Sequence, residues 1–457
     1  MSKWKGKKVL IVGLGKTGQA AIRYFATQGA KIFATDTKSK AELTEPLRVL
    51  GNIKVEYDLG RHTPKFFTSA DCIVLSPGVS SNIEPLHEAR AKGVPITNDI
   101  ELAFPYMKAP IIAVTGTNGK TTTATLISEI LKNDGKKVFL GGNIGVSALE
   151  YVLSGVTADV IVLELSSFQL ELLHKFKPKV SVFTNLEPDH LDRYPEGVEK
   201  YYEAKKRLLH NADKSMTLVT NLDNPLAAQL GVKFPGTVYS YTKKSPMSVN
   251  PAQAEKFRGA YLSKPNMVLK MNKEEAFDLI QCKLPGDHNK ENLMAASIAA
   301  WNVGCSRAGI QKTIEGFKGV THRLEFVRKK DGVTFYNDSK ATNVSSVIRS
   351  INSFNGPIIL IAGGRDKDQD FAPLVEHVRK RVKNLILAGE AKEKINRVIG
   401  DYSETFLVGT LEEGILIAYQ KSRSGDVILL SPGCASYDMF KSYEERGDYF
   451  KRLVAQL

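Results

Sequence analysis

Residues 115–122 read TGTNGKTT, directly after the apolar run IIAV and before a helical pattern with Leu126, Ile127, Ile130 and Leu131 on one face. A strand that ends in glycines, a lysine and a hydroxyl at the start of a helix is the setting of a phosphate grip. Backbone N–H groups cradle the phosphates, Lys120 reaches the terminal ones, and the Thr121 hydroxyl faces Mg²⁺. The run departs from the general GxxxxGK[ST] form, because only two residues separate Gly116 from Gly119. A Gly/Asn/Thr-rich turn would explain GTNG, but not the full set of strand, loop, lysine, threonine and helix.

A second set of glycines, Gly13, Gly15 and Gly18, has GxGxxG spacing between a strand and a helix, and Asp36 stands at the end of the next strand. Such a turn lets backbone N–H groups meet a phosphate, and Asp36 could accept from a ribose hydroxyl. Read alone it suggests a nicotinamide cofactor, although other nucleotides fit the same fingerprint. With two nucleotide grips in tandem, a simple dehydrogenase is the weaker choice.

Acidic groups gather near the first grip. Glu164 ends the apolar strand DVIVL, where ligands bind in parallel sheets; a buried carboxylate there needs a proton, an ion-pair partner or a metal, and beside a phosphate loop the metal is Mg²⁺. Asp189, His190 and Asp192 follow the next strand and are expected at the same edge. In EGVEKYYEAKKRLLHNA, a step of about 100° per residue puts Lys205 in the middle of the apolar stripe and Lys206 beyond its edge. Either the Lys205 stem reaches out to water, or its amine is neutralised, paired or chemically modified near the metal.

Three sets of short strands alternating with helices must position these groups. KVLIVG, AKIFATD, DCIVLS and VPIT make the first; PIIAVTG, KKVFLGG, ADVIVLELSS, PKVSVFTNL and SMTLVTNLD the second; VTFYNDS, PIILIAGG, NLILAG, ETFLVG and DVILLSP the third. The pattern predicts an α/β protein of three domains: a Rossmann-like unit over 1–100, a central P-loop-type domain with a mainly parallel sheet over 111–320, and a second Rossmann-like unit over 321–457. FPYMKAP reads as the first linker, and after Pro235 the strand signal becomes weaker and more polar.

A formal charge of +14 attracts anions, but the cations are interleaved with acids. With no zinc-finger spacing, RNA-binding signature or long basic run, small anions rank above nucleic acid. Cys72, Cys282, Cys305 and Cys434 are far apart, which suits a reducing compartment. No signal peptide or membrane-spanning run is legible, so the expectation is a cytoplasmic protein without membrane insertion.

TGTNGKTT, GGNIG, ELSSFQLE, NLEPDHLDRY, HRLE and NDSKATN, in this order along the chain, together resemble the Mur ligase family. ELSSFQLE and SPGCASYDMFKSYEERG are similar to its D-glutamate-adding members. The resemblance implies a monomeric ligase that makes a peptide bond during cytoplasmic peptidoglycan precursor assembly. The alanine carboxylate of UDP-N-acetylmuramoyl-L-alanine attacks the γ-phosphate of ATP, and the D-glutamate amine displaces phosphate from the acyl phosphate.

By the same resemblance the first domain holds UDP through Lys16, Thr17, Asp36, Thr37, Lys38 and Gly78, and Asn143 reaches the substrate. ATP is held by Gly116, Thr117, Asn118, Gly119, Lys120, Thr121 and Thr122, with Asn292, Arg323, Asp338 and Lys340 closing around it. Mg²⁺, at two sites, is held by Thr121, Glu164, His190 and Lys205, the last as a carbamate. Lys120 and His322 complete the catalytic set. Thr342, Lys367, Ser436 and Tyr443 form the D-glutamate pocket. With the groups on separate domains, turnover is expected to require the third domain to close on the central one. The rivals are a sibling or folylpolyglutamate synthase-like ligase with another acceptor, a nicotinamide-dependent oxidoreductase, and a basic nucleic-acid-binding NTPase.

Overall fold

Short apolar runs become fully buried strands. In the computed structural model, which describes residues 2–190, 193–249, 251–366 and 368–457, the strands Ile111–Thr115, Val160–Glu164 and Val180–Phe183 are buried along their whole length. Lys8–Val12 is exposed only at its first residue. Burial on both faces is what a parallel sheet between helices requires. The chain groups into two compact units: Met1–Glu187, Glu196–Phe277 and Met294–Thr313 form the first, and Pro188–Pro195, Asp278–Leu293 and Ile314–Leu457 the second.

The first unit holds two sheets. In the smaller, the strands run in the order Val55–Leu59, Lys31–Asp36, Lys8–Val12, Cys72–Leu75, Ile96–Thr97, all neighbours parallel. Val55–Leu59, from the polar sequence VEYDL, is the strand that apolar runs alone do not reveal. In the nine-stranded sheet, Ile111–Thr115 lies between Val160–Glu164 and Val180–Phe183, in parallel register with both. The polar stretch after Pro235 extends this sheet through Thr237–Thr242 and Gly259–Ser263 into Asn266–Lys270 and Glu274–Asp278. Asn266–Lys270 alternates buried with half-buried residues, so its signal is period two rather than a solid apolar run.

The loops that carry site residues are tied to the end of the smaller sheet's domain. The Asp99 carboxylate accepts from Ser147 Oγ at 2.9 Å and from the Ala148 N–H at 3.3 Å, which anchors the helix Ala148–Ser154 just after GGNIG. Asn98 Nδ2 donates to the Gln169 carbonyl at 2.7 Å, inside ELSSFQLE. Glu101 accepts the N–H groups of His174, Lys175 and Phe176.

In the second unit six strands run in the order Glu325–Lys330, Val333–Asn337, Val427–Gly433, Ile358–Gly363, Val382–Ala388, Glu404–Leu407. The first pair is antiparallel and the others are parallel. Ile358 and Leu360 pack with Leu385, Leu387 and Val347 on one face; Ile359 and Ile361 pack with Ile386, Ile415 and Phe450 on the other. Alternate residues therefore feed two cores, as in a doubly wound sheet. No described helix is long and apolar enough to cross a membrane.

Candidate active site

The loop between Ile111–Thr115 and the helix Lys120–Asn133 is clamped from behind by residues 184–187. The Asn118 N–H donates to Asn185 Oδ1 at 2.9 Å, and the Asn118 carbonyl accepts from Thr184 Oγ1 and Asn185 Nδ2 at 2.5 and 3.0 Å. Thr117 Oγ1 donates to the Glu187 carbonyl at 2.9 Å and accepts from the Glu187 N–H. Gly116 has φ of +140°, and a Cβ there would fall 1.9 Å from Thr184 Oγ1, so the position excludes every other residue. Lys120 Nζ curls onto the carbonyls of Gly116 and Thr117 at 3.0 and 2.8 Å. Thr121 and Thr122 are buried in the first turn of the helix.

Lys205 is brought to the same loop. It is 1% exposed, donates to the Gly116 carbonyl at 2.8 Å and lies 4.5 Å from the centre of the Tyr201 ring. The alternative of a stem reaching water is thereby set aside; Lys206, one position on, is exposed.

Glu164 ends its strand opposite Val114 and is 1% exposed. Asn143 Nδ2 donates to its Oε1 at 2.8 Å, while Oε2 is buried with no hydrogen-bond partner among the described residues. A buried carboxylate oxygen left over at a phosphate loop is the donor a divalent cation requires, so these residues fit Mg²⁺. Among the described residues no three His, Cys, Asp or Glu gather as a cage.

At the GxGxxG turn, Asp36 is already engaged. Its Oδ2 accepts the Leu14 N–H at 2.8 Å and its Oδ1 the Lys38 N–H at 3.0 Å, so the carboxylate holds the two loops against each other. Lys16, Thr37, Lys38 and Gly78 are exposed around it, and Thr17 is half-buried. A Cβ at Gly18 would fall 1.9 Å from the Gly13 carbonyl oxygen, so this glycine serves close packing of helix on strand.

The second unit has its own cluster. Asp338 is 3% exposed; its Oδ2 accepts from Ser350 Oγ at 2.5 Å and Ser431 Oγ at 2.9 Å. Burial raises its pKa to about 6 against the opposing pull of Arg323 and these hydroxyls. Arg323 Nε is buried without a hydrogen-bond partner among the described residues.

The Ser339 N–H donates to Asn337 Oδ1, which fixes that amide and leaves Asn337 Nδ2 to donate to His322 Nδ1 at 3.0 Å. The proton of a neutral His322 therefore sits on Nε2. Burial, with Lys451 nearby, pushes the His322 pKa down despite Asp448 and Glu325. Tyr443 meets His322 edge to face at 6.0 Å, and Lys340 Nζ lies 5.3 Å from the Tyr443 ring centre. Asn292 Nδ2 donates to Asn289 Oδ1 at 3.2 Å.

Asp189 accepts from Asn343 Nδ2 at 2.9 Å, and His190, with φ of +54°, donates its N–H to Asp189 Oδ1. Thr342 is half-buried and Ser436 buried. Asp192 and Lys367 lie outside the described residues.

Two groups escaped the sequence. Arg446 is 2% exposed, and its hydrogen bonds among the described residues go to neutral acceptors: Ser339 Oγ and the carbonyls of Ser339, Cys434 and Ala435, at 2.9 to 3.3 Å. It clasps the loops on which Lys340, Thr342 and Ser436 stand. The signal was present: Arg446 shares a helical stripe with Phe450 and Val454, the same anomaly that exposed Lys205. Gln369 Nε2 donates to the Gly433 carbonyl at 2.9 Å, and its Oε1 accepts the Val344 N–H at 3.2 Å.

The fold and these groups define a three-domain ligase. The Mur ligase middle domain matches residues 114–300, the Mur ligase MurD-like N-terminal domain residues 7–98, and the Mur ligase glutamate ligase domain residues 322–434. The chain belongs to the Mur ligase family, whose members depend on ATP.

UDP-N-acetylmuramoylalanine–D-glutamate ligases of Bdellovibrio bacteriovorus, Geotalea daltonii and Thermoanaerobacter pseudethanolicus are 45, 43 and 40% identical to it over 455, 454 and 459 residues. The alignments cover 98, 99 and 99% of this chain and 97, 98 and 99% of theirs. Among solved structures, the UDP-N-acetylmuramate-alanine ligase MurC of Thermotoga maritima shares the fold with TM-score 0.60 and 21% identity, over 99% of this chain and 100% of that one. E. coli FolC with ADP and its ligand DHPP shares it with TM-score 0.57 and 15% identity, over 78% of this chain and 92% of that one.

Proposed function

We propose that this enzyme joins D-glutamate to UDP-N-acetylmuramoyl-L-alanine with hydrolysis of ATP to ADP and phosphate, working as a monomer in the cytoplasm. The observation that carries this is end-to-end likeness to relatives that bear that activity in their name. In this reading the UDP-sugar domain is residues 1–100, the ATP domain 111–320 and the amino-acid domain 321–457.

The alanine carboxylate oxygen bonds to the γ-phosphorus and ADP leaves. The D-glutamate amine then bonds to the carbonyl carbon of the acyl phosphate, phosphate departs, and the nitrogen gives up its proton. Lys120, freed from the Gly116 and Thr117 carbonyls, balances charge on the terminal phosphates, and the N–H groups of residues 116–122 hold the rest of the chain of phosphates. Asn143 orients the substrate. His322, neutral, orients it through its Nε2 proton; Asn292, Arg323, Asp338 and Lys340 hold the nucleotide. Thr342, Lys367 and Ser436 hold the D-glutamate carboxylate, with Tyr443 beside them.

Thr121 and Glu164, with His190 as the resemblance assigns it, would hold Mg²⁺. The ion supplies neutralisation of charge between two anions that otherwise repel. Lys205 carries a carbamate in this reading: the neutral amine bonds to CO₂ and releases one proton, turning a cation into an anion. Its burial at the phosphate loop, against the Gly116 carbonyl, supports that assignment.

The test is phosphate release from ATP, Mg²⁺ and UDP-N-acetylmuramoyl-L-alanine with D-glutamate, L-glutamate, L-alanine or meso-diaminopimelate added separately. Release confined to D-glutamate, with the matching mass gain on the UDP-sugar, is expected. Release with a different amino acid would make this a sibling ligase.

A further inference from the structure

The second unit has a cavity of about 740 Å³ at the amino ends of the neighbouring strands Ile358–Gly363 and Val382–Ala388. The candidate residues Asp338 and Ser436 stand at the carboxyl ends of the same sheet, about 20 Å away at roughly 3.3 Å per residue. Four of the residues that line the cavity are the cations Arg379, Lys380, Arg381 and Lys383, and none is acidic.

Two of these charges are answered: Lys380 pairs with Glu376 on the surface and Lys383 with Asp426, both at 2.8 Å. Arg379 and Arg381 make no contact ion pair with a carboxylate among the described residues, and Glu376, already paired with Lys380, also feels the Arg379 charge. Arg379 lies 6.0 Å from the Tyr402 ring centre, and Arg381 spends one N–H on the Phe354 carbonyl at 2.5 Å. The bland explanation is that cations in the last turn of Val375–Arg381 offset the helix dipole. A dipole end amounts to only about half a charge, which leaves more than one guanidinium charge unanswered. The lining also includes the surface turn Asn355 to Pro357, whose Asn355 and Gly356 N–H groups donate to no described acceptor. Two consecutive N–H groups without a described acceptor, lining the same depression as two guanidinium groups, suit phosphate oxygens.

We propose that this cavity binds a small oligophosphate anion, either free or as the phosphate chain of a nucleotide, independently of the phosphate loop in the first unit. Arg379 and Arg381 supply the charge and the 355–356 turn supplies neutral donors.

The experiment is equilibrium binding of inorganic tripolyphosphate to the full-length chain, in the wild type, in Lys120→Ala to weaken the phosphate loop, and in Lys120→Ala with Arg379→Ser and Arg381→Ser. A site that survives Lys120→Ala and weakens about tenfold or more in the triple variant is expected, since two charge-assisted contacts are lost together. Affinity equal in Lys120→Ala and the triple variant, or no binding in Lys120→Ala, overturns the proposal. Arg381 also holds Phe354, so Lys120→Ala with the exposed Arg379→Glu alone is measured in parallel. A fall of about threefold or more is expected there, and no change counts against the site. GTP run beside tripolyphosphate separates the sources: tighter binding of GTP points to a nucleotide, equal binding to the bare anion.

Discussion

Lys205 Nζ donates to the carbonyl oxygen of Gly116 at 2.8 Å, on a loop residue to which Lys120 Nζ also donates at 3.0 Å. Two amines from different helices thus converge on one carbonyl at the mouth of the phosphate loop. Lys205 is buried there and Lys120 half-buried.

Lys205→Ala and Lys205→Arg are therefore both expected to fold and to turn over about 10²- to 10³-fold more slowly, the usual loss for a group acting on charge in the transition state. A guanidinium cannot take up CO₂ and does not fit the amine's place, so arginine brings no rescue. Initial rates of phosphate release check this, and a Lys205→Arg rate close to wild type would refute it. Intact-protein mass in bicarbonate buffer, with and without acid quench, tests the modification itself.

Gly116→Ala is expected to abolish tight ATP binding. The added Cβ would fall 1.9 Å from Thr184 Oγ1, and the loop's φ of +140° is hostile to any side chain. Strain of about 1 to 3 kcal/mol should also lower the melting temperature of the first unit. Calorimetric titration with ATP and a thermal melt measure the two effects; unchanged ATP affinity would show that the loop tolerates displacement.

Asp338 gives a pH signature. Its carboxyl is raised by burial from 3.8 to about 6, so the folded state holds the proton more tightly than the unfolded state. The resulting stability is complete below about pH 4 and is lost as pH rises through about 6, a slope worth about 3 kcal/mol at 1.36 kcal/mol per unit. Denaturation of wild type and Asp338→Asn at several pH values should show this slope in the wild type alone. Parallel curves for the two proteins would remove Asp338 as its source.

Arg446 joins the loop of Ser339 to the loop of Cys434 and Ala435 with no carboxylate among its partners. Arg446→Met leaves buried carbonyls unpaired at about 1 to 3 kcal/mol each, and Arg446→Lys restores the charge without the fork. Both variants are expected to raise KM for D-glutamate about tenfold or more, with KM for ATP nearly unchanged. Equal changes in both constants would mean general loosening of the second unit rather than positioning of one pocket.

The nucleotide loop, the strand-end carboxylate Glu164 and the oddly placed Lys205 were legible in the sequence because each depends on local order: an apolar run, a turn and a helical period repeat within a dozen residues. The strand Val55–Leu59 was not, since VEYDL is a polar run with only Asp58 buried. Nor did local order reveal that Asp36 is spent on the backbone of Leu14 and Lys38, or that the polar stretch after Pro235 continues the central sheet. Arg446 shows the boundary. Its stripe position was readable, but its acceptors are 11, 12 and 107 residues away, on loops that only sheet packing brings together. Sequence periodicity fixes which face of an element turns inward. What that face meets there depends on contacts distant in the chain, and those belong to the tertiary structure alone.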